Sequence, residues 1–136
     1  MKKRKKKPTL SALERKLDTI FSEYIRRKEA DAGGTVRCVT CPRVMFWREA
    51  HAGHFIKRQH RAVRWDERNV APQCPADNVF KGGCQDEFAA HIIRRYGPEV
   101  FDELMSKKHE VCKHTRSDLE ALIESYREKL KELEAA

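Results

Sequence analysis

At 136 residues, with 37% charged side chains and a mean hydropathy of −0.78, the chain is the size of one domain and can bury only a small interior. No apolar run approaches the roughly 18 residues of a membrane-spanning helix, and no apolar stretch follows the basic start as it would in a signal peptide, so a cytoplasmic protein is expected. The net charge is +8, but Lys2, Lys3, Arg4, Lys5, Lys6 and Lys7 supply six of those charges, leaving +2 for residues 8–136.

Residues 1–8 are expected to form a disordered basic tail. Such a tail is either a solvated segment or a phosphate-binding arm, and it also has the composition of a nuclear-localisation signal. If all six charges met phosphates, this segment alone would give log K against log[salt] a slope of about −5.

Within residues 9–32, apolar residues at Leu10, Leu13, Leu17, Ile20, Phe21, Tyr24 and Ile25 have the three-and-four spacing of an amphipathic helix. Thr9 or Ser11 would cap it and "DAGG" would end it. Residues 35–96 form the unusual centre, with four of the five cysteines and both tryptophans. Short strands are predicted over "VMFWREA" and "RAVRWDE", then a helix after Gly83 that "YGPE" stops. The arm at 97–136 reads as one helix from Pro98 to Lys108 and another from Ser117, with Glu120 completing a capping box. The fold class is therefore α+β: a small metal-stapled ββα centre flanked by N- and C-terminal helices.

"CVTC" places Cys38 and Cys41 at the spacing that lets both thiolates of one tight turn face a tetrahedral zinc ion. A thioredoxin-like redox role would need a helix after the motif, and Pro42 follows instead. Cys74 supplies the third thiolate. The fourth ligand is open between Asp77, at the right spacing in "CPADN", and Cys84, the softer donor after a Gly-Gly. Cys112 reads as a lone free cysteine, with His114 near enough to suggest a second pair. A small core with so little apolar burial would gain much from a structural zinc.

"HAGHFIKRQH" holds three of the six histidines. Hydrolysing a phosphodiester needs a base, a divalent cation and groups that position both; His54, Asn69 and Asn78 fall where a strand-strand-helix unit could bring them together. His60, His91, His109 and His114 read as surface or satisfied histidines, and Trp47 and Trp65 as packing around the stapled core.

The order CxxC, Gly-His, Asn-x-x-Pro-Gln-Cys, Asn and Lys-Gly resembles the HNH (His-Me finger) nucleases built on a zinc knuckle, a treble-clef-like ββα unit. "AGHF", "DERNVAPQC" and "YGPEVFDEL", within roughly residues 35–130, further resemble the NinG (Rap) family of lambdoid-phage recombination proteins. That family is known as structure-specific DNA endonucleases acting on D-loops and Holliday junctions in phage homologous recombination. The resemblance makes residues 35–96 the nuclease core and His54 the general base, with Asn69 orienting it through a hydrogen bond. Asn78 and His51, expected on the same strand face as His54, become ligands for a catalytic magnesium or manganese ion, with Glu87 as an additional ligand. Lys57, Arg58, Arg61, Arg64 and Lys81 would meet DNA phosphates. The family's usual second Cys-x-x-Cys-Asn has Asp77 for its second cysteine, and its usual Asn after the Gly is Cys84 here: either a compensating exchange or a weakened metal site. The alternative from another class is a non-catalytic zinc-finger DNA-binding protein that recruits recombination or replication proteins. Paired incision of a four-way junction needs two active sites, which adds a homodimer to the expectations, though no residue points to one.

Overall fold

A computed structural model describes residues 6–136; most of the basic tail, residues 1–5, lies outside them. The described residues form a mixed α+β fold with two small antiparallel sheets and four α-helices, in the order α1 (Leu10–Lys28), β1 (Thr35–Arg37), β2 (Val44–Phe46), β3 (His51–His54), β4 (Val70–Gln73), α2 (Gln85–Tyr96), α3 (Pro98–Lys107) and α4 (Arg116–Ala135). None of the helices is long and apolar enough to cross a membrane.

The Thr9 hydroxyl accepts from the Ala12 amide at 3.0 Å, which makes Thr9 the cap of α1. The helix buries Leu13, Leu17, Phe21 and Ile25 against Leu119, Ile123 and Tyr126 of α4, with Trp65 and Val70 closing the cluster. A second cluster joins Phe55, Ile56 and Val63 to Phe88 and Ile92 of α2 and Leu104 of α3. Two apolar clusters with β3 and β4 between them replace one large interior, as the low apolar content requires.

The strand pairing differs from the sequence expectation. "VMFWREA" yields β2 over its first three residues and pairs with β1. "RAVRWDE" forms no strand: 3₁₀ turns at Arg61–Val63 and Glu67–Asn69 flank Trp65. The partner of β3 is β4, in the register His51 to Gln73 and His54 to Val70. Residues 61–67 turn because Asp66 accepts from the Arg68 amide at 3.0 Å and because Val63 and Trp65 both point into apolar clusters, which a strand's alternation would allow only on a single face. The cap of α4 also shifts: Thr115 and Asp118 form the capping box, not Ser117 and Glu120.

Between Cys74 and α2 the chain makes a π-helical turn, Ala76–Phe80. Gly82, Gly83 and Cys84 then adopt φ of 60°, 87° and 49° in succession. Two glycines make this left-handed reversal inexpensive; Cys84, with a β-carbon, holds it at some cost.

Candidate functional site

Cys38 follows β1, Cys41 lies in the hairpin turn, Cys74 follows β4 and Asp77 sits in the π-helical turn. The β-hairpin and β4 are tied by the Val39 amide donating to the Pro72 carbonyl at 2.9 Å. This brings one ligand atom from each of Cys38, Cys41, Cys74 and Asp77 within 4.8 Å of one another. Cys41 Sγ and Cys74 Sγ are 3.8 Å apart, and ~3.8 Å is the edge of a tetrahedron whose metal–sulfur bonds are 2.3 Å. Cys38 Sγ to Asp77 Oδ2 is 3.7 Å, against ~3.5 Å for sulfur and oxygen ligands of one zinc ion. The set could hold a metal ion, and its spacing and donor types are consistent with a structural zinc. Cys84 is outside it.

The surroundings orient these donors. Thr40 donates to Asp77 Oδ2 at 2.8 Å and accepts from Gln73 Nε2 at 2.9 Å. The Cys74 amide donates to Cys38 Sγ at 3.2 Å. Burial pushes the Cys38 thiol up, but hydrogen bonds from Thr40 and the Cys74 amide outweigh it and leave the thiol easier to ionise than usual. Burial and the neighbouring sulfurs and carboxylate push Cys41 up to about 12. Two adjacent thiols thus resist ionising together without a cation, while Asp77, held low first by the Thr40 hydroxyl, keeps its charge in a buried place. That is the electrostatic demand a divalent ion meets.

His54 ends β3 and faces an open cleft of about 780 Å³, lined also by Arg15, Asp18, Lys57, Arg58 and Asn78. Its Nε2 lies 2.9 Å from the Arg64 carbonyl oxygen. A carbonyl only accepts, so Nε2 carries the proton and the neutral ring keeps its lone pair on Nδ1. Burial lowers the His54 pKa, against the opposing pull of the Arg64 and Ala52 carbonyls.

Several expected partners are placed differently. Asn69 does not hydrogen-bond His54. Fully buried, it accepts from the Ile56 amide at 2.8 Å and donates to the Ile56 and Val63 carbonyls at 2.9 and 3.1 Å. It precedes β4 rather than ending a strand, so its side chain turns into the 55–63 loop. Nor do His51 and His54 share a face: three positions apart on one strand, they point to opposite sides, and of β3 it is Ala52 and His54 that line the cleft. Asn78 spans the two sides, since it lines the cleft while its Nδ2 donates to His51 Nδ1 at 3.0 Å. Glu87 lies apart, on a separate groove of about 600 Å³ behind the cysteine turn.

Of the expected phosphate contacts, Lys57 and Arg58 line the cleft and are exposed. Lys81 is exposed, with Nζ 3.6 Å from Asp77 Oδ1. Arg61 pairs with Glu14 at 3.2 Å. Arg64 is not a free cation, because Asp18 takes it at 2.6 and 3.2 Å and Glu14 at 3.0 Å. Glu14 and Asp18, one helical turn apart on α1, escaped the sequence analysis. The available signal was their i, i+4 spacing on one helix face, set against Arg61 and Arg64 three residues apart. His60 is satisfied by the Lys108 carbonyl at 3.2 Å, and His114 stacks edge-on against Trp65 with Cys112 Sγ 3.8 Å away.

Fold and site define a small α+β protein with a buried cluster of three cysteines and one aspartate beside a basic, histidine-bearing cleft. A family model described as the Bacteriophage Lambda NinG protein matches residues 1–135, and the chain belongs to the NinG family. It is similar to the protein ninG of Escherichia phage 933W, 30% identical over 111 residues, 81% of this chain and 52% of that protein. The protein ninG of Escherichia phage lambda and that of Salmonella phage P22 are each 29% identical over the same share. The chain spans about half the length of the curated relatives it matches. No solved structure matches.

Proposed function

We propose that the chain is a metal-dependent, structure-specific DNA endonuclease of the HNH type that cleaves branched recombination intermediates such as D-loops and Holliday junctions. The observation that carries this reading is His54: a half-buried, neutral imidazole whose Nε2–H is fixed on a carbonyl and whose ring opens onto a cleft lined by Arg15, Lys57 and Arg58. A surface histidine has no need of a fixed tautomer, whereas a general base does. His54 Nδ1 takes the proton of the attacking water, and Lys57 and Arg58 hold the phosphates on either side.

Asn78, which lines the cleft and is fixed there by its hydrogen bond to His51, is the residue that would hold a magnesium or manganese ion beside His54, and such an ion would supply charge stabilisation at the departing oxygen. Asp18 in the same cleft is committed to Arg64. One neutral amide ligand fits a weakly held ion whose remaining ligands are DNA phosphate oxygens and water. The cysteine cluster takes a structural zinc, with Asp77 as its fourth ligand.

The test is cleavage of a labelled four-way junction and a D-loop in magnesium or manganese by wild type, His54→Ala and Asn78→Ala. Both variants should lose cleavage while still binding DNA. Full cleavage by His54→Ala removes the mechanism; DNA binding without cleavage by any of the three proteins, in either metal, leaves the recruiting zinc-finger protein as the better reading.

A further inference from the structure

The turn that carries Asp77 and Asn78 continues into Val79 and Phe80, which are 58% and 84% exposed. Phe80 is the most exposed aromatic side chain among the described residues. The turn that presents it is anchored on both sides. Cys74 and Asp77 hold its start in the buried cluster; the Asn78 amide donates to the Cys74 carbonyl at 3.0 Å, Lys81 to Ala76 at 3.2 Å, and Gly83 to Asp77 at 2.8 Å. The left-handed run at Gly82, Gly83 and Cys84 then turns the chain back into α2. Phe80 therefore stands at the crest of a braced turn. Its neighbours are cationic: Lys81 follows it, and Lys57 reaches the same loop, with Nζ 3.5 Å from the Gly82 carbonyl. Two residues before it, Asn78 lines the His54 cleft.

An apolar ring rimmed by lysines, one short step from a cationic cleft, matches the chemistry of a nucleobase with its flanking phosphates. An apolar protein surface would gain nothing from the two ammonium groups. We propose that Phe80 is a stacking wedge: its ring takes the face of an unpaired or partly unstacked base at a branch point, while Lys57 and Lys81 hold the adjoining phosphates. The inference rests on the proposal that this chain acts on branched DNA, and it names the group that distinguishes a branch from a plain duplex.

The test measures binding without divalent cations, so that cleavage plays no part. The probes are a four-way junction with 2-aminopurine at the branch and a linear duplex of one arm's sequence. The proteins are wild type, Phe80→Ala and Phe80→Trp. Phe80→Ala is expected to bind the junction roughly 5- to 150-fold more weakly, the effect of losing one stacked base, with a smaller change on the duplex and no change in 2-aminopurine fluorescence. Phe80→Trp should retain both affinity and signal. Unchanged junction affinity and signal in Phe80→Ala overturns the proposal, as does a wild type that binds junction and duplex alike. A fall in sedimentation mass on Phe80→Ala with DNA affinity intact also overturns it, by showing that the ring meets a second protein surface. If the wedge behaves as expected but wild type cleaves nothing once magnesium or manganese is added, only the endonuclease reading fails.

Discussion

The His54 imidazole and the Arg64 backbone meet at 2.9 Å, and the side chain of that same arginine is gripped by Asp18 and Glu14 of α1. The residue whose carbonyl sets the histidine's tautomer is thus itself held in place by side chains of α1 that lie 46 and 50 residues earlier in the chain. Arg64 acts on His54 through its main chain, while its charge serves the α1 contact.

The first prediction concerns pH. Burial disfavours the imidazolium, and the nearby Arg58 charge works in the same direction. His54 should therefore titrate below the ordinary histidine value of about 6.5, and Arg58→Ala should move it upward. An NMR titration of the ring reads this without reference to activity, and if the chain cleaves DNA the acidic limb of its rate profile should follow. A His54 that titrates at or above the ordinary value contradicts the environment described.

The second concerns the metal cluster. Asp77→Ala removes a ligand atom within 4.8 Å of the other three and should lose bound zinc, whereas Cys84→Ser, outside the cluster, should keep it. Because a structural zinc can contribute on the order of 10 kcal/mol, chelation should unfold the hairpin and the turn at 74–80 together. Zinc content and thermal melts of the two variants decide it; loss of zinc from Cys84→Ser alone would reassign the fourth ligand.

Gly53 provides the third. A β-carbon there would lie 2.2 Å from the Gln73 side-chain oxygen, which is buried and has no hydrogen-bond partner among the described residues. Gln73 cannot swing away without giving up Thr40 and the Gly83 carbonyl. Gly53→Ala should thus destabilise by about 1–3 kcal/mol and disturb the cluster through Thr40, as seen in a denaturant melt and a weakened affinity for zinc. A neutral effect on both would mean that β3 and β4 separate more easily than their pairing implies.

Glu67 offers the fourth. It accepts from Lys28, Lys129 and the Tyr126 hydroxyl, each at 3.1 Å, tying α1 to α4. Burial pushes its pKa up, but the two lysines pull harder and leave it below the usual glutamate value. A carboxylate depressed in the folded state stabilises above its unfolded pKa and loses that contribution as pH falls through its folded one. Stability should accordingly decline below about pH 4.5, and Glu67→Gln should cost about 1 kcal/mol at neutral pH and flatten that decline. Urea melts at pH 7 and pH 4 give both numbers.

Local rules made much of this chain legible before any coordinates. The helical spacing from Leu10 to Ile25, the CxxC turn and the Pro98 helix start are short-range features, written in neighbouring residues and read without knowing what lies across the fold. Asp77 could be singled out by spacing, but choosing it over Cys84 required knowing where the π-helical turn and the αL cysteine point, which donor softness alone does not settle. Asn69 looked like a partner for His54 because both flank one motif; its amide is instead used up by the Ile56 main chain and the Val63 carbonyl. Arg64 looked like a DNA contact until α1 brought Asp18 and Glu14 against it. In each case the competing partners lie far apart in sequence, and only packing, by making some polar groups inaccessible to water, decides which of them must be satisfied by which.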